Sequence, residues 1–132
     1  MVSVAIFDYG AGNIFSLKNS LEQAGASVDV ITSFDKPNVY SGLLLPGVGN
    51  FDPAIKSINE NSKTKFQDFV KQNTPVLGIC LGMEMFFEKS EEGIEKGFNV
   101  IDGEIVVLPS TVKVPHMGWN NLEIKRPGVI LE

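Results

Sequence analysis

The sequence has one cysteine, Cys80, and one histidine, His116. A single cysteine excludes an internal disulfide and a cysteine-cluster metal site, and it suits a reducing compartment. One histidine leaves too few ligands for zinc, so no metal or cofactor is expected. Basic residues are the minority, 11 against 16 acidic, for a net charge of −5. A nucleic-acid-binding face needs the opposite balance. No apolar run approaches the ~20 residues that cross a bilayer. The first run, Val2–Phe7, has no basic flank and stops at Asp8. It reads neither as a secretion signal nor as a membrane span, and a cytoplasmic location is expected. Internal repeats and low-complexity tracts are also missing.

What is present is ordinary for a globular chain: 132 residues, 43% hydrophobic and 20% charged. One domain spanning residues 1–132 is expected. The most informative stretch runs from Thr74 to Lys89. Val76–Ile79 is an apolar run bounded by Pro75, as a buried strand reads. Cys80 then stands between Gly78 and Gly82, and Leu81–Lys89 reads as a helix with no Gly or Pro after Gly82. Strand, glycine-flanked nucleophile and helix is the layout of a nucleophile elbow. The sharp turn crowds its neighbours, so small residues flank the reactive one. A helix N-terminus beneath the sulfur favours thiolate, and the Leu81 N–H faces a developing oxyanion. The competing reading is a buried structural cysteine, a common fate for a free thiol.

Before that elbow, strands and helices alternate. Val2–Phe7 reads as a first strand, followed by the turn Asp8-Tyr9-Gly10-Ala11-Gly12-Asn13. Asn13 suits a helix N-cap, Ile14, Leu17, Leu21 and Ala24 fall at helical spacing, and Gly25 suits the C-terminal cap. Ser27–Ile31 and Gly42–Leu45 read as further strands. Asp52-Pro53 reads as an N-cap and first-turn proline of a helix running towards Asn61. Lys63–Gln72 reads as another helix. The expected fold is α/β, an open, mostly parallel sheet with helices on both faces. Working residues of such sheets gather at the C-terminal strand ends, where three glycine-bearing turns fall: 10–13, 46–50 and 78–82. Cys80 is expected to end a central strand. After residue 96 the pattern becomes β-rich. Asp102-Gly103 between apolar runs signals a hairpin, and Leu122–Lys125 suits a strand. Glu91–Lys96 reads as a solvated, charged turn. The apolar run Val129–Leu131 starts a new element just before the chain stops at Glu132, which suggests a C-terminally incomplete domain.

Several motifs carry rival meanings. Gly10-Ala11-Gly12 has the start of a dinucleotide-binding loop, but Phe15 stands where the third glycine belongs. Pro46-Gly47-Val48-Gly49-Asn50-Phe51 is either a plain turn or a loop whose Val48 N–H completes an oxyanion hole with Leu81. His116 is the only imidazole available to Cys80, against the simpler reading of a loop histidine with local hydrogen bonds. Trp119 is either core or an interface anchor.

Gly78-Ile79-Cys80-Leu81-Gly82-Met83 resembles the nucleophile segment of class I, triad-type glutamine amidotransferases. The segments 8–13, 45–51 and 115–120 narrow the resemblance to the glutaminase subunits of imidazole glycerol phosphate synthase. The resemblance implies hydrolysis of glutamine to glutamate and ammonia, with ammonia passed to a (βα)8-barrel cyclase subunit in histidine biosynthesis. It implies that Cys80 is the nucleophile and that the Val48 and Leu81 amides form the oxyanion hole. It puts Gly47, Gly49 and Glu84 at the substrate, and Asn13 and Trp119 at the cyclase. Two departures stand out. The family usually has Gln where this chain has Glu84. Its catalytic His and Glu lie in a C-terminal segment without a counterpart here, and His116 does not match that histidine. The chain alone is therefore expected to be inactive. The alternatives are a non-catalytic cyclase-binding scaffold, and a cysteine-elbow hydrolase or redox protein, although the latter would want His where Leu81 stands.

Overall fold

The computed structural model describes residues 1–35 and 39–131. Its central feature is a four-stranded, all-parallel sheet in the order β2-β1-β3-β4. β1 (Ser3–Phe7) is flanked by β2 (Ser27–Ile31) and β3 (Gly42–Leu45), and β4 (Val76–Gly78) pairs with β3. The inner strands are near-continuous apolar runs because both of their faces are covered. α1 (Ile14–Gln23) covers one face, laying Ile14, Leu17 and Leu21 over Ile6, Val28 and Leu44. Asn13 caps it by accepting the Ser16 N–H at 3.1 Å, and Gly25 leaves it at φ +89°. The expected stripe ends early, since Ala24 is the exposed C-cap.

The other face carries α2 (Phe51–Ser57) and α3 (Glu60–Lys71) and is built largely from phenylalanine. Phe7 meets Phe34 at 4.1 Å between ring centroids, and Phe66 meets Phe98 at 4.2 Å. Each such pair adds about 0.5–1.5 kcal/mol beyond the burial of its area. α2 starts two residues earlier than expected, with Asn50 as its N-cap. Asp52 is thereby freed from capping. Its carboxylate accepts the N–H groups of Ile94 and Glu95, each at 3.0 Å, and so clasps the charged turn to α2. That turn is exposed as expected, but it is tied down.

Four expectations fail. The helix after Cys80 is a single turn, α4 (Leu81–Glu84). The Met85 carbonyl is taken by the Phe98 N–H at 2.8 Å, and the Phe86 carbonyl by those of Val100 and Ile101. Those acceptors are lost to a continuing helix, so tertiary pairing overrides local propensity. Asp102-Gly103 is a bend rather than a hairpin tip. With Val100 and Ile101 held by Phe86, β6 (Glu104–Ile105) pairs in parallel with β5 (Lys89–Ser90) instead. Beyond it no strand forms among the described residues, Leu122–Lys125 included. For the same reason Cys80 does not follow a central strand. β4 is the sheet edge among the described residues, with Leu77 and Ile79 about two-fifths exposed. No described helix is long and apolar enough to cross a membrane.

α4 sits hard against β3 at Gly82, where an added Cβ would overlap the Leu45 carbonyl and stand 2.6 Å from its carbon. Neither group is the end of a flexible side chain, so the backbone must move. Gly82→Ala should destabilise the fold by about 3 kcal/mol in urea unfolding. Gly128→Ala, with open space around it, should stay within about 0.5 kcal/mol.

Candidate active site

β3 and β4 run in parallel with Leu45 opposite Gly78, and the Ile79 N–H donates to the Leu45 carbonyl at 3.0 Å. The two chains therefore leave the sheet side by side, one as Pro46–Gly49 and the other as Cys80–Gly82. Cys80 is a free, exposed thiol, so the buried structural reading fails. Its backbone lies at φ 55°, ψ −120°, a region that residues with a side chain rarely occupy. Strain of this kind persists only where the surroundings over-determine it. The surroundings do so here. A Cβ on Gly78 would stand 2.6 Å from Met83 Cα and 2.7 Å from the Phe86 ring, and Gly82 abuts Leu45. The flanking glycines let the turn close, and the closed turn projects the sulfur.

The second glycine-bearing loop packs against the first. A Cβ on Gly47 would stand 2.7 Å from the Gly82 nitrogen and 2.8 Å from Leu81 Cβ. The 10–13 turn joins them, since a Cβ on Gly12 would lie 3.3 Å from Pro46 Cβ. The three turns thus converge as their positions at the strand ends suggest. Val48 is exposed, and Gly49 follows it at φ +112°. Among the described residues, the N–H groups of Val48 and Leu81 make no hydrogen bond within the protein. Free backbone donors on two converging loops, one of them directly after an exposed cysteine, suit a reaction that develops negative charge on oxygen. The helical contribution is smaller than expected, because one turn offers free N–H groups but little aligned dipole. A cavity of about 210 Å³ opens beside this loop, lined by Tyr9, Gly10, Ala11, Val48, Gly49 and α2, and Cys80 does not line it. A larger one of about 520 Å³, between α3 and residues 94–99, contains none of the expected site residues.

Glu84 closes α4, half-buried, with one carboxylate oxygen enclosed and unpartnered among the described residues. Burial pushes its carboxyl up from the ordinary range, and the nearby Glu92 carboxylate adds to the effect. Among the described residues no hydrogen bond joins the remaining expected residues to the elbow. His116 is exposed, with its ring Nε2 2.9 Å from Asn120 Nδ2, and no hydrogen bond joins it to Cys80. Trp119 is fully exposed, so the core reading fails, and Asn13 is exposed at the start of α1. Among the described residues no cluster of His, Cys, Asp and Glu could hold a metal.

Two residues near the site carry no sequence motif for a role there. Tyr9 is buried, and its hydroxyl donates to the Pro46 carbonyl at 2.8 Å. Burial, followed by the charge of Cys80, pushes its phenol up to about 12. A polar-tipped aromatic two residues past a buried strand is the available signal. Glu92 was hidden inside what read as a solvated charge run.

The pattern of the family "Glutamine amidotransferase class-I" matches residues 5–128. The chain is 42% identical over 132 residues to the imidazole glycerol phosphate synthase subunit HisH of Halalkalibacterium halodurans, covering 94% of this chain and 62% of that one. It is likewise 42% identical to HisH of Archaeoglobus fulgidus, with coverage of 98% and 64%. The corresponding subunit of Cyanophora paradoxa is 36% identical over 129 residues, with coverage of 96% and 60%. The chain thus spans about three-fifths of the length of these relatives.

The Glu84 environment has a pH signature. A carboxyl raised in the folded state contributes fully at acid pH, and that contribution is lost as pH rises through the folded value. Glu84→Gln removes the ionisation. It should raise the thermal midpoint at pH 7 by about 2–4 °C, with the gain vanishing below about pH 4. Melting curves of both proteins across pH 3–8 check this.

Proposed function

The chain belongs to the class I glutamine amidotransferases, and on that premise we propose that it is the glutaminase part of an imidazole glycerol phosphate synthase, acting in histidine biosynthesis. In this reading the Cys80 thiolate attacks the γ-carboxamide carbon of glutamine. The carbonyl oxygen takes up the electron pair and is met by the N–H groups of Val48 and Leu81. As the carbonyl re-forms, the C–N bond breaks and the protonated leaving group departs as ammonia. The resulting thioester is hydrolysed to glutamate. Gly47 and Gly49 leave room for the substrate beside the loop. Glu84 lies near its amino-acid end, where a carboxylate pairs with the α-ammonium and repels the α-carboxylate. Ammonia passes to a (βα)8-barrel cyclase docked against Asn13 and Trp119. A free, exposed thiol suits the reducing cytoplasm. The 132 residues act as one α/β domain.

One observation carries this reading: an exposed cysteine held at positive φ between two glycines that admit no side chain, with a second glycine-bearing loop packed against it. A buried structural thiol would need none of this. The position of His116 favours a second reading, a cyclase-binding scaffold without turnover. Turnover needs an imidazole to take the thiol proton and to deliver one to the leaving ammonia. The chain's one imidazole is engaged with Asn120 instead.

Both readings meet the same experiments. Given alone to a glutamine-mimicking affinity label, the chain should be modified at Cys80, glutamine should protect it, and Cys80→Ala should remain unlabelled. A scaffold would label no faster than a free thiol. These 132 residues by themselves should release glutamate at background rate, with or without the cyclase, because acid–base help of roughly 10²–10⁴-fold is missing. Turnover by the wild type that is abolished in both Cys80→Ala and His116→Ala would instead make His116 the base. Trp119→Ala should weaken binding to the cyclase by about 2 kcal/mol or more, measured by calorimetry, as loss of an exposed aromatic anchor does.

A further inference from the structure

Residues 46–49 are held by very little. Among the described residues they make one hydrogen bond, from the Tyr9 hydroxyl to the Pro46 carbonyl at 2.8 Å, across 37 positions of sequence. Tyr9 itself is well fixed. It stands two residues past β1, its ring is stacked on Phe7 at 5.9 Å, and it is 9% exposed. Its hydroxyl also fills the space a Gly47 side chain would need, while Leu81 and Gly82 close that space from the other side. The peptide between Pro46 and Gly47 is thus gripped between Tyr9 and the elbow. A peptide group is planar, so holding its carbonyl also fixes the Gly47 N–H and the starting direction of the next peptide. That next peptide carries the Val48 N–H. Its direction turns on the two dihedrals of Gly47, which sits confined between the Tyr9 hydroxyl, Leu81 and Gly82.

We propose that Tyr9 is a positioning residue that latches the Pro46–Gly49 loop, so that the Val48 N–H is held toward the oxyanion that forms beside Cys80. This rests on the reading that Val48 and Leu81 stabilise an oxyanion. Tyr9 touches neither the substrate nor the sulfur's reacting partner and acts only through the loop. Burial, reinforced by the Cys80 charge, keeps the phenol protonated well above the pH at which thiols ionise, so the donor persists while the thiolate is present. The aromatic ring could be supplied by phenylalanine. The latch needs the hydroxyl.

The test compares two reagents on the whole chain. One is the chloromethyl ketone analogue of glutamine, whose ketone oxygen occupies the oxyanion position. The thiolate sulfur bonds to its methylene carbon, the C–Cl bond breaks, and chloride leaves with the electron pair. The other is iodoacetamide, which reports only on thiol reactivity and access. Tyr9→Phe should slow chloromethyl ketone labelling about tenfold, a fraction of the 10²–10³ lost with an oxyanion donor. Its iodoacetamide rate should change less than about twofold, because the thiol itself is untouched.

An unchanged chloromethyl ketone rate in Tyr9→Phe overturns the latch while the functional reading stands. Equal slowing with both reagents also overturns it, since the effect would then be general loosening. Wild-type labelling that glutamine does not protect removes the functional reading and the latch with it. Should phenylalanine compromise folding, difluorotyrosine at position 9 keeps the shape and the donor but ionises at lower pH. The ratio of the two labelling rates, which cancels the titration of Cys80, should then collapse at lower pH than in wild type. Coincident profiles would overturn the proposal.

Discussion

The closeness of two backbones organises the molecule. β3 ends at Leu45, and the turn after β4 must pass over its carbonyl with no side chain between them. Only glycine at position 82 permits that approach. Once it is made, Cys80 is forced into a strained conformation with its thiol exposed, and Gly47 is brought against Leu81. Packed backbone does not yield as a flexible side chain would, so the arrangement is stiff where the chemistry needs it. The strain at Cys80 is sustained by burial elsewhere, chiefly the phenylalanine cluster beneath α2 and α3.

The same cluster explains how far order extends past the elbow. Phe98 is fully buried, its N–H bonds to Met85, and its carbonyl accepts from Gln67 at 2.6 Å. Asp52 grips the turn at 93–95 from the other side, and its carboxyl is held below the usual range by the Glu95 N–H, with Ile94 and Lys56 also contributing. Residues 85–101 are therefore stapled to the sheet's helical layer by a ring, a side-chain amide and a carboxylate. From residue 106 to 131 every described residue is exposed, so that segment lacks apolar burial to define it.

The site divides its work between side chain and backbone. One sulfur is the only reactive side chain at the elbow, and the other candidate contributors are N–H groups whose direction is set by loop conformation. A site of this kind is controlled by whatever orients the loop. That makes Tyr9 as consequential as the residues nearer the sulfur. Glu84 and Glu92 add a second tension, two carboxylates close enough to raise one of them within a partly desolvated niche.

Local pattern was enough for much of this. The apolar runs of β1, β2, β3 and β4, the Asn13 cap, and the glycines around Cys80 each depend on residues close in sequence, so strands, turns and elbow were legible, and the motifs carried the family with them. What failed depended on distant partners. The helix after Cys80 stops at Glu84 because Phe98 and Val100 take the carbonyls it would need. Asp52, inside α2 rather than at its cap, gives its carboxylate to a turn some 42 residues away. Cys80 follows an edge strand because no described strand lies beyond β4, which no reading of Val76–Ile79 could reveal. Tyr9 looked like part of a turn until Pro46 arrived beside it from 37 positions away. Sequence by itself determined which residues are chemically able, since identity and near-neighbour spacing are local properties. Tertiary structure alone decided which of them meet, because a hydrogen bond or a buried charge exists only once the chain has brought its two ends together.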